Sequence, residues 1–156
     1  MQYTIENEYL RLTVDTHGAE AVSVVNKATG AEMLWCGDPA VWGRHAPLLF
    51  PIIGRLRDGK YTVGGKEYAI SQHGFGRDSE FQVVKQSDSS VTFQMEESEA
   101  TLAKYPCAVR LQVRYTLEDG KLTKTHRVLN RSQEDMYYEV GGHDGFCTTL
   151  LPGESM

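Results

Sequence analysis

The amino-acid sequence predicts an all-β fold of mostly antiparallel strands, a sandwich or a barrel-like domain. Three observations carry that prediction. Apolar residues recur with period two in short runs, the pattern of strands that bury one face. Gly, Asp, Asn and Ser interrupt the runs where tight turns would fall. Helical periodicity is nearly absent, with one short exception at EESEATLAK, residues 96–104.

The elements follow in order. YTIENEYLRLTV, residues 3–14, alternates on both sides of a turn at Glu6-Asn7-Glu8 and supplies two strands. AEAVSVV, 19–25, is a third, ending in a turn over Asn26-Lys27 and Thr29-Gly30. YTV (61–63) and KEYAI (66–70) flank Gly64-Gly65, a two-residue hairpin because both glycines accept positive φ. FQVVKQ (81–86), SVTFQME (90–96), VRLQVRYTLE (109–118) and KLTKTHRVLN (121–130) continue the alternation, the last two joined by a hairpin turn at Asp119-Gly120. The acid-rich EESE stretch suits a helix start, where the macrodipole favours negative charge. MYYEVGGHDGF, from Met136, adds one strand more, for eight to ten in all. One segment breaks the pattern: DPAVWGRHAPLLFPIIGRLRDG, 38–59, rich in Pro, Gly, Trp and Arg, reads as a long ordered loop. Loops held by a rigid sheet are where binding residues concentrate.

Charge and composition exclude several classes. Sixteen basic against twenty-one acidic side chains among 156 residues give a net charge of −5, against a general nucleic-acid binder. No apolar run reaches the roughly 18–20 residues of a membrane span, and MQYTIENEYL at the start carries acids where a secretory signal has a basic region. Cys36, Cys107 and Cys147 are odd in number and widely spaced, with no zinc-like pairing. They are expected to be buried small hydrophobes in a reducing, cytoplasmic setting.

Three clusters carry the chemistry. Trp42-Gly43-Arg44-His45-Ala46-Pro47 runs into Leu49-Phe50-Pro51-Ile52-Ile53-Gly54-Arg55, joining a stacking aromatic to guanidinium donors on a proline-stiffened backbone. Gln72-His73-Gly74-Phe75-Gly76-Arg77-Asp78 sets an ionisable His in a glycine-flanked turn. Gly141-Gly142-His143-Asp144-Gly145-Phe146 presents another His at a strand end. Imidazoles exchange protons near neutrality, rings stack on the apolar faces of sugars, and Arg, Gln and Asp bond hydroxyls. That inventory fits a sugar but leaves isomerase, hydrolase and lectin open. No metal is expected, since His17, His45 and His126 share no spacing and His73 and His143 lie in no HxH or HxxxH pattern. His126 reads as cross-strand packing or surface, and Glu134, Asp135 and Glu139 as a solvated turn and strand face. No GxSxG, phosphate loop or GxGxxG is present.

These blocks resemble the aldose 1-epimerase (galactose mutarotase-like) superfamily, and within it the LacX-like branch. The matching stretches run in order along nearly the whole chain. They are Asn7-Glu8, Gly18-Ala19-Glu20, Leu34-Trp35, the Trp42–Arg55 block, the Gln72–Asp78 block, Tyr105-Pro106, Val128-Leu129-Asn130 and Gly141-Gly142-His143. The resemblance implies a galactose mutarotase-like β-supersandwich that binds an aldose and interconverts its α and β anomers without a cofactor. It places His143 as the acid on the ring oxygen, His73 as the imidazole holding sugar oxygens, and Arg55 and Arg77 among the substrate-binding positions. Trp42, Arg44 and Gln72 join them as candidate contacts, and the three arginines keep a phosphorylated aldose open, as in hexose-6-phosphate epimerases. Two departures are visible. Asp144-Gly145 stands where the branch usually has Pro-Ala, and the family's general-base Glu is expected beyond residue 156. Residues 1–156 are thus expected to be the N-terminal part of one domain of the larger kind, about 200–250 residues. The alternatives are a non-catalytic carbohydrate-binding module or an inactive fragment, self-associating through exposed sheet edges.

Overall fold

The computed structural model describes residues 1–147. It places eleven strands, all paired antiparallel, in four sheets. The first sheet takes β1 (Gln2–Glu6), β2 (Leu10–Asp15) and β3 (Glu20–Asn26) in sequence order. The largest has the order β10-β9-β8-β7, from β7 (Gln82–Gln86), β8 (Ser90–Glu96), β9 (Val109–Glu118) and β10 (Lys121–Asn130). Two small pairs remain: the hairpin of β5 (Lys60–Val63) with β6 (Lys66–Ala69), and β4 (Leu48–Leu49) with β11 (Gly141–Gly142). Among the described residues no helix is long and apolar enough to cross a membrane.

Alternation decides which face is inside. Along β9 the residues Val109, Leu111, Val113, Tyr115 and Leu117 are buried while their neighbours are not, and Val91, Phe93 and Met95 repeat the pattern on β8. They join Ile5, Leu12 and Val14 of the first sheet in one apolar cluster. Tyr3 meets Phe93 edge-on at 6.0 Å between ring centroids. The buried Tyr115 hydroxyl donates to the Ala19 carbonyl at 2.7 Å, a polar tie across the core. The turns form for local reasons. Asn7 Oδ1 accepts the N–H groups of Tyr9 and Leu10, closing the first turn. Asp119 and Gly120 both have positive φ, as the two-residue β9–β10 hairpin requires.

The expected strands are present, with three differences. The run from Met136 forms a ladder only at Gly141–Gly142 among the described residues. Before that it lies along residues 50–53, where Pro51 has no N–H to offer a ladder. Contact there is by single bonds: the Glu139 N–H donates to the Pro51 carbonyl at 2.9 Å and the Glu139 carboxylate accepts the Ile53 N–H at 2.8 Å. The expected helix shortens to one turn, α1 (Glu99–Leu102), whose Ser98 side chain accepts the Thr101 N–H. The cysteines depart from expectation most clearly. Cys36 and Cys147 are exposed and Cys107 is half-buried. Cys36 falls in the irregular chain after β3, outside the buried core of the described residues.

Candidate functional site

Residues 38–59 contain the segment that organises the site. Its middle is core: Ala46, Leu48, Leu49 and Phe50 are 4% exposed or less. Burying Leu48, Leu49 and Phe50 stabilises this connection by about 2 kcal/mol each, which fixes it although its sequence is rich in loop formers. Phe50 packs against Phe75, Tyr105 and Tyr138 with ring centroids 5.9–6.2 Å apart.

One side of this segment holds the His73 turn. The Phe50 carbonyl accepts the N–H groups of Phe75 (2.9 Å) and Gly76 (3.0 Å), and the Phe50 N–H donates to the His73 carbonyl at 3.2 Å. Gly74 makes this approach possible. Its φ is +72°, and a Cβ there would lie 2.5 Å from the Phe50 carbonyl carbon and nearer still to its oxygen. His73 itself has φ of +67°, an uncommon conformation for a residue with a side chain. Its backbone N–H is held by the Gly54 carbonyl at 2.9 Å. Nδ1 lies in close contact with the Ile53 carbonyl, so it carries the proton and donates. That leaves Nε2 as an acceptor, met by the Gln72 side-chain amide nitrogen at 3.2 Å.

The other side holds the His143 strand. β4 pairs with β11 through Leu49–Gly141 and Leu48–Gly142, and single bonds extend that register. His143 N–H donates to the Pro47 carbonyl (3.1 Å) and Gly145 N–H to the His45 carbonyl (2.8 Å). The Trp42 ring tilts against the His143 ring with centroids 5.2 Å apart. A Cβ on Gly145 would come within 2.8 Å of that indole, so glycine leaves the room Trp42 occupies. The His73 and His143 rings are 6.2 Å apart between centroids. Two histidines remote in sequence therefore meet across one short stretch of backbone.

The arginines divide into two kinds. Arg44 is committed to the fold: it bonds Glu20 Oε2 (3.4 Å) and the Arg77 carbonyl (3.1 Å), and touches the Asp78 carboxylate closely. Glu20 is buried, and its other oxygen accepts the N–H groups of His45 (2.6 Å) and Ala46 (3.0 Å). Arg77 lies against Gln72, with Nη2 3.4 Å from the Gln72 carbonyl and a buried Nε that finds no hydrogen-bond partner among the described residues. Arg55 is exposed and follows Gly54, the residue that holds the His73 N–H.

His73, His143, Gln72 and Trp42 thus come together, Arg77 borders them through Gln72, and Arg44 stands behind, joining two site loops. The sequence did not reveal what Glu20 and Glu139 do. The visible signal was Glu20 at the start of a mostly apolar strand run, where a buried acid needs partners. Among the described residues no three His, Cys, Asp or Glu side chains gather to hold a metal ion. An apolar hollow of about 300 Å³, lined by Ile52, Leu56, Tyr61, Ile70, Tyr105 and Cys107 among others, holds neither histidine.

Comparison with known proteins adds the context of relatives. The family model described as Aldose 1-epimerase matches residues 1–150. The plasmid LacX protein of Lactococcus lactis subsp. lactis is 34% identical over 160 residues, which take in 99% of this chain and 53% of that protein. Two crystal structures are similar at 42% identity. One is a galactose mutarotase related enzyme from Lactobacillus acidophilus, with a TM-score of 0.96 over 99% of this chain and 52% of that one. The other is a galactose mutarotase-like protein from Lactobacillus casei, with a TM-score of 0.93 over 97% and 51%. The chain spans about half the length of these relatives.

Proposed function

This chain belongs to the aldose 1-epimerase family, and from that premise we propose that it binds an aldose over the His73–His143 face as part of a site for interconverting its anomers. The observation that carries this reading is the meeting of the two imidazoles at 6.2 Å beside the Trp42 ring. In this reading Trp42 stacks on the apolar face of the sugar. His73 Nε2 accepts a hydroxyl hydrogen as the Gln72 amide turns from it to a sugar oxygen, since its Nδ1 proton already serves the Ile53 carbonyl. Gln72, Arg77 and Arg55 donate to sugar oxygens.

His143 is the acid. It protonates the ring oxygen as the C1–O bond breaks, while a base removes the C1 hydroxyl proton and an open-chain aldehyde forms. Rotation about the C1–C2 bond and the reverse transfers give the other anomer. No acid among the described residues is assigned the base. Glu139, the acid nearest before His143, has an oxygen engaged by the Ile53 N–H at 2.8 Å. A positioned general base typically contributes about 10²–10⁴-fold in rate.

Freshly dissolved α-D-galactose or α-D-glucose, followed by optical rotation or by anomeric exchange in NMR spectra, tests the reading. Acceleration over buffer that is lost in His143→Ala supports it. Binding without acceleration leaves the carbohydrate-binding module, and neither binding nor acceleration refutes the sugar site. A phosphorylated aldose is the second reading, favoured by the guanidinium groups of Arg77, beside Gln72, and of the exposed Arg55. Tighter binding of a hexose 6-phosphate than of the free hexose would select it.

A further inference from the structure

Two polar side chains on the inner face of β10 have no part in the site so far. Lys124 and His126 pair with Tyr115 and Val113 of β9, both buried, so they point into the protein. Lys124 reaches furthest toward the site. Its side chain is 16% exposed, and its ammonium lies 5.7 Å over the Tyr115 ring. It also lies 3.4 Å from the Ala46 carbonyl and 3.6 Å from Asp144 Oδ1. Ala46 belongs to the segment that carries Trp42, and Asp144 directly follows His143. One half-buried cation therefore touches both chain segments of this register from beneath.

Residues 141–145 continue a single antiparallel register with residues 45–49, so the chain there is extended. Consecutive side chains on an extended chain leave by opposite faces. Asp144 goes inward to Lys124, and His143 goes outward to Trp42 and His73. A rotation of this strand that carried the imidazole away would also pull the carboxylate off the ammonium. We propose that Lys124 and Asp144 are positioning residues, an ion pair between a largely buried ammonium and a more exposed carboxylate that holds His143 at the angle from which it meets a ligand.

This inference rests on the sugar reading for the identity of the ligand but not for the geometry. Proline would restrict φ at position 144 covalently, whereas the aspartate is restrained through its charge. The Asp144 N–H makes no ladder bond among the described residues, so either side chain fits the strand. Burial lowers the Lys124 pKa, while Asp144 and Glu20 pull it back up, which indicates that the ammonium depends on its acidic neighbours. His126 and Tyr115 are the other titratable groups on this face.

The test compares Lys124→Met, Asp144→Asn, the double variant, and Lys124→Met combined with Asp144→Pro. The readouts are the His143 and His73 imidazole resonances, assigned with His→Gln variants, and the dissociation constant for D-galactose. Each single variant is expected to shift or broaden the His143 resonance, leave that of His73 in place and weaken galactose binding about tenfold. The Lys124→Met/Asp144→Asn double variant should lose no more than either single variant, because both remove one interaction. The proline combination should recover the native His143 resonance and affinity. Folded single variants with a native His143 resonance would overturn the proposal. So would losses that add in the double variant, or a loss that the proline combination fails to repair. If the native protein binds no galactose, the sugar reading fails, and the resonances still decide the positioning role.

Discussion

Gly74 gives the sharpest test of how the His73 turn is built. Replacing it with Ala puts a Cβ at φ of +72° against the Phe50 carbonyl. The left-handed conformation costs about 1 kcal/mol for alanine. The clash adds more, because the obstacle is backbone. The Phe50 carbonyl accepts the Phe75 and Gly76 N–H groups, so moving it aside breaks both bonds, at about 1 kcal/mol each. The sum is about 3 kcal/mol, or about 9 °C of melting temperature in a chain of this size. Gly30 supplies the control. Its φ is +73°, but a Cβ there has nothing within 4 Å. Gly30→Ala should therefore show the conformational cost alone, about 1 kcal/mol. Urea and thermal unfolding followed by circular dichroism measure both. If Gly74→Ala and Gly30→Ala are equally stable, the close approach of the two backbones is not what fixes this turn.

Arg44→Met should cost about 3 kcal/mol, because it leaves the buried Glu20 carboxylate with backbone N–H partners but without its guanidinium. Sugar affinity should fall less than stability does. Lost affinity at native stability would instead make Arg44 a ligand contact. Alkali should unfold the protein above about pH 10. Burial holds the Tyr61 phenol up at about 12 and pushes those of Tyr105 and Tyr115 higher. The folded values exceed the unfolded one, so this stability is complete below pH 10 and is lost as the pH rises, by up to about 1.4 kcal/mol per pH unit for each fully shielded phenol. Tyr61, only partly shielded, contributes less. Absorbance at 295 nm should show these phenols ionising together with the loss of far-ultraviolet circular dichroism. Ionisation of all eight tyrosines before unfolding would contradict it.

Where the sequence was readable, a local cause and a tertiary cause agreed. β8, β9 and β10 have the boundaries the alternation predicts, since one face packs on the core, a Ser-rich turn precedes β8 and Asp-Gly joins β9 to β10. The candidate histidines stood out because glycines lie close to them, and two of those glycines, Gly74 and Gly145, prove to be points where a backbone or a ring comes too close for a side chain. What was hidden depends on pairing across the chain. Nothing in the Met136 run shows that Pro51 will face it and deny it a ladder. Nothing near Arg44 shows that Glu20, remote in sequence, will claim its guanidinium. Cys36 is exposed for a related reason, because hydrophobic character does not tell whether another layer will cover a position.

The tautomer of His73 leads to a last expectation that separates binding from folding. The Ile53 carbonyl can only accept, so Nδ1 donates and Nε2, met here by the Gln72 amide, is the face a ligand takes when that amide turns away. Asparagine carries an amide N–H near the Nδ1 position, has nothing near Nε2, and tolerates positive φ better than most residues. His73→Asn should therefore keep the bond to Ile53 and the backbone bonds to Gly54 and Phe50, and unfold within about 1 kcal/mol of the native protein. It removes the acceptor the sugar would use, and with it about 1 kcal/mol of binding, roughly fivefold in the galactose dissociation constant. His73→Ala loses both bonds and should suffer in stability as well as affinity. Titration of D-galactose into the folded Asn variant decides the matter. Undiminished affinity would show that Nε2 does not touch the sugar, and the ligand would then have to lie on the Trp42–His143 side of the face alone.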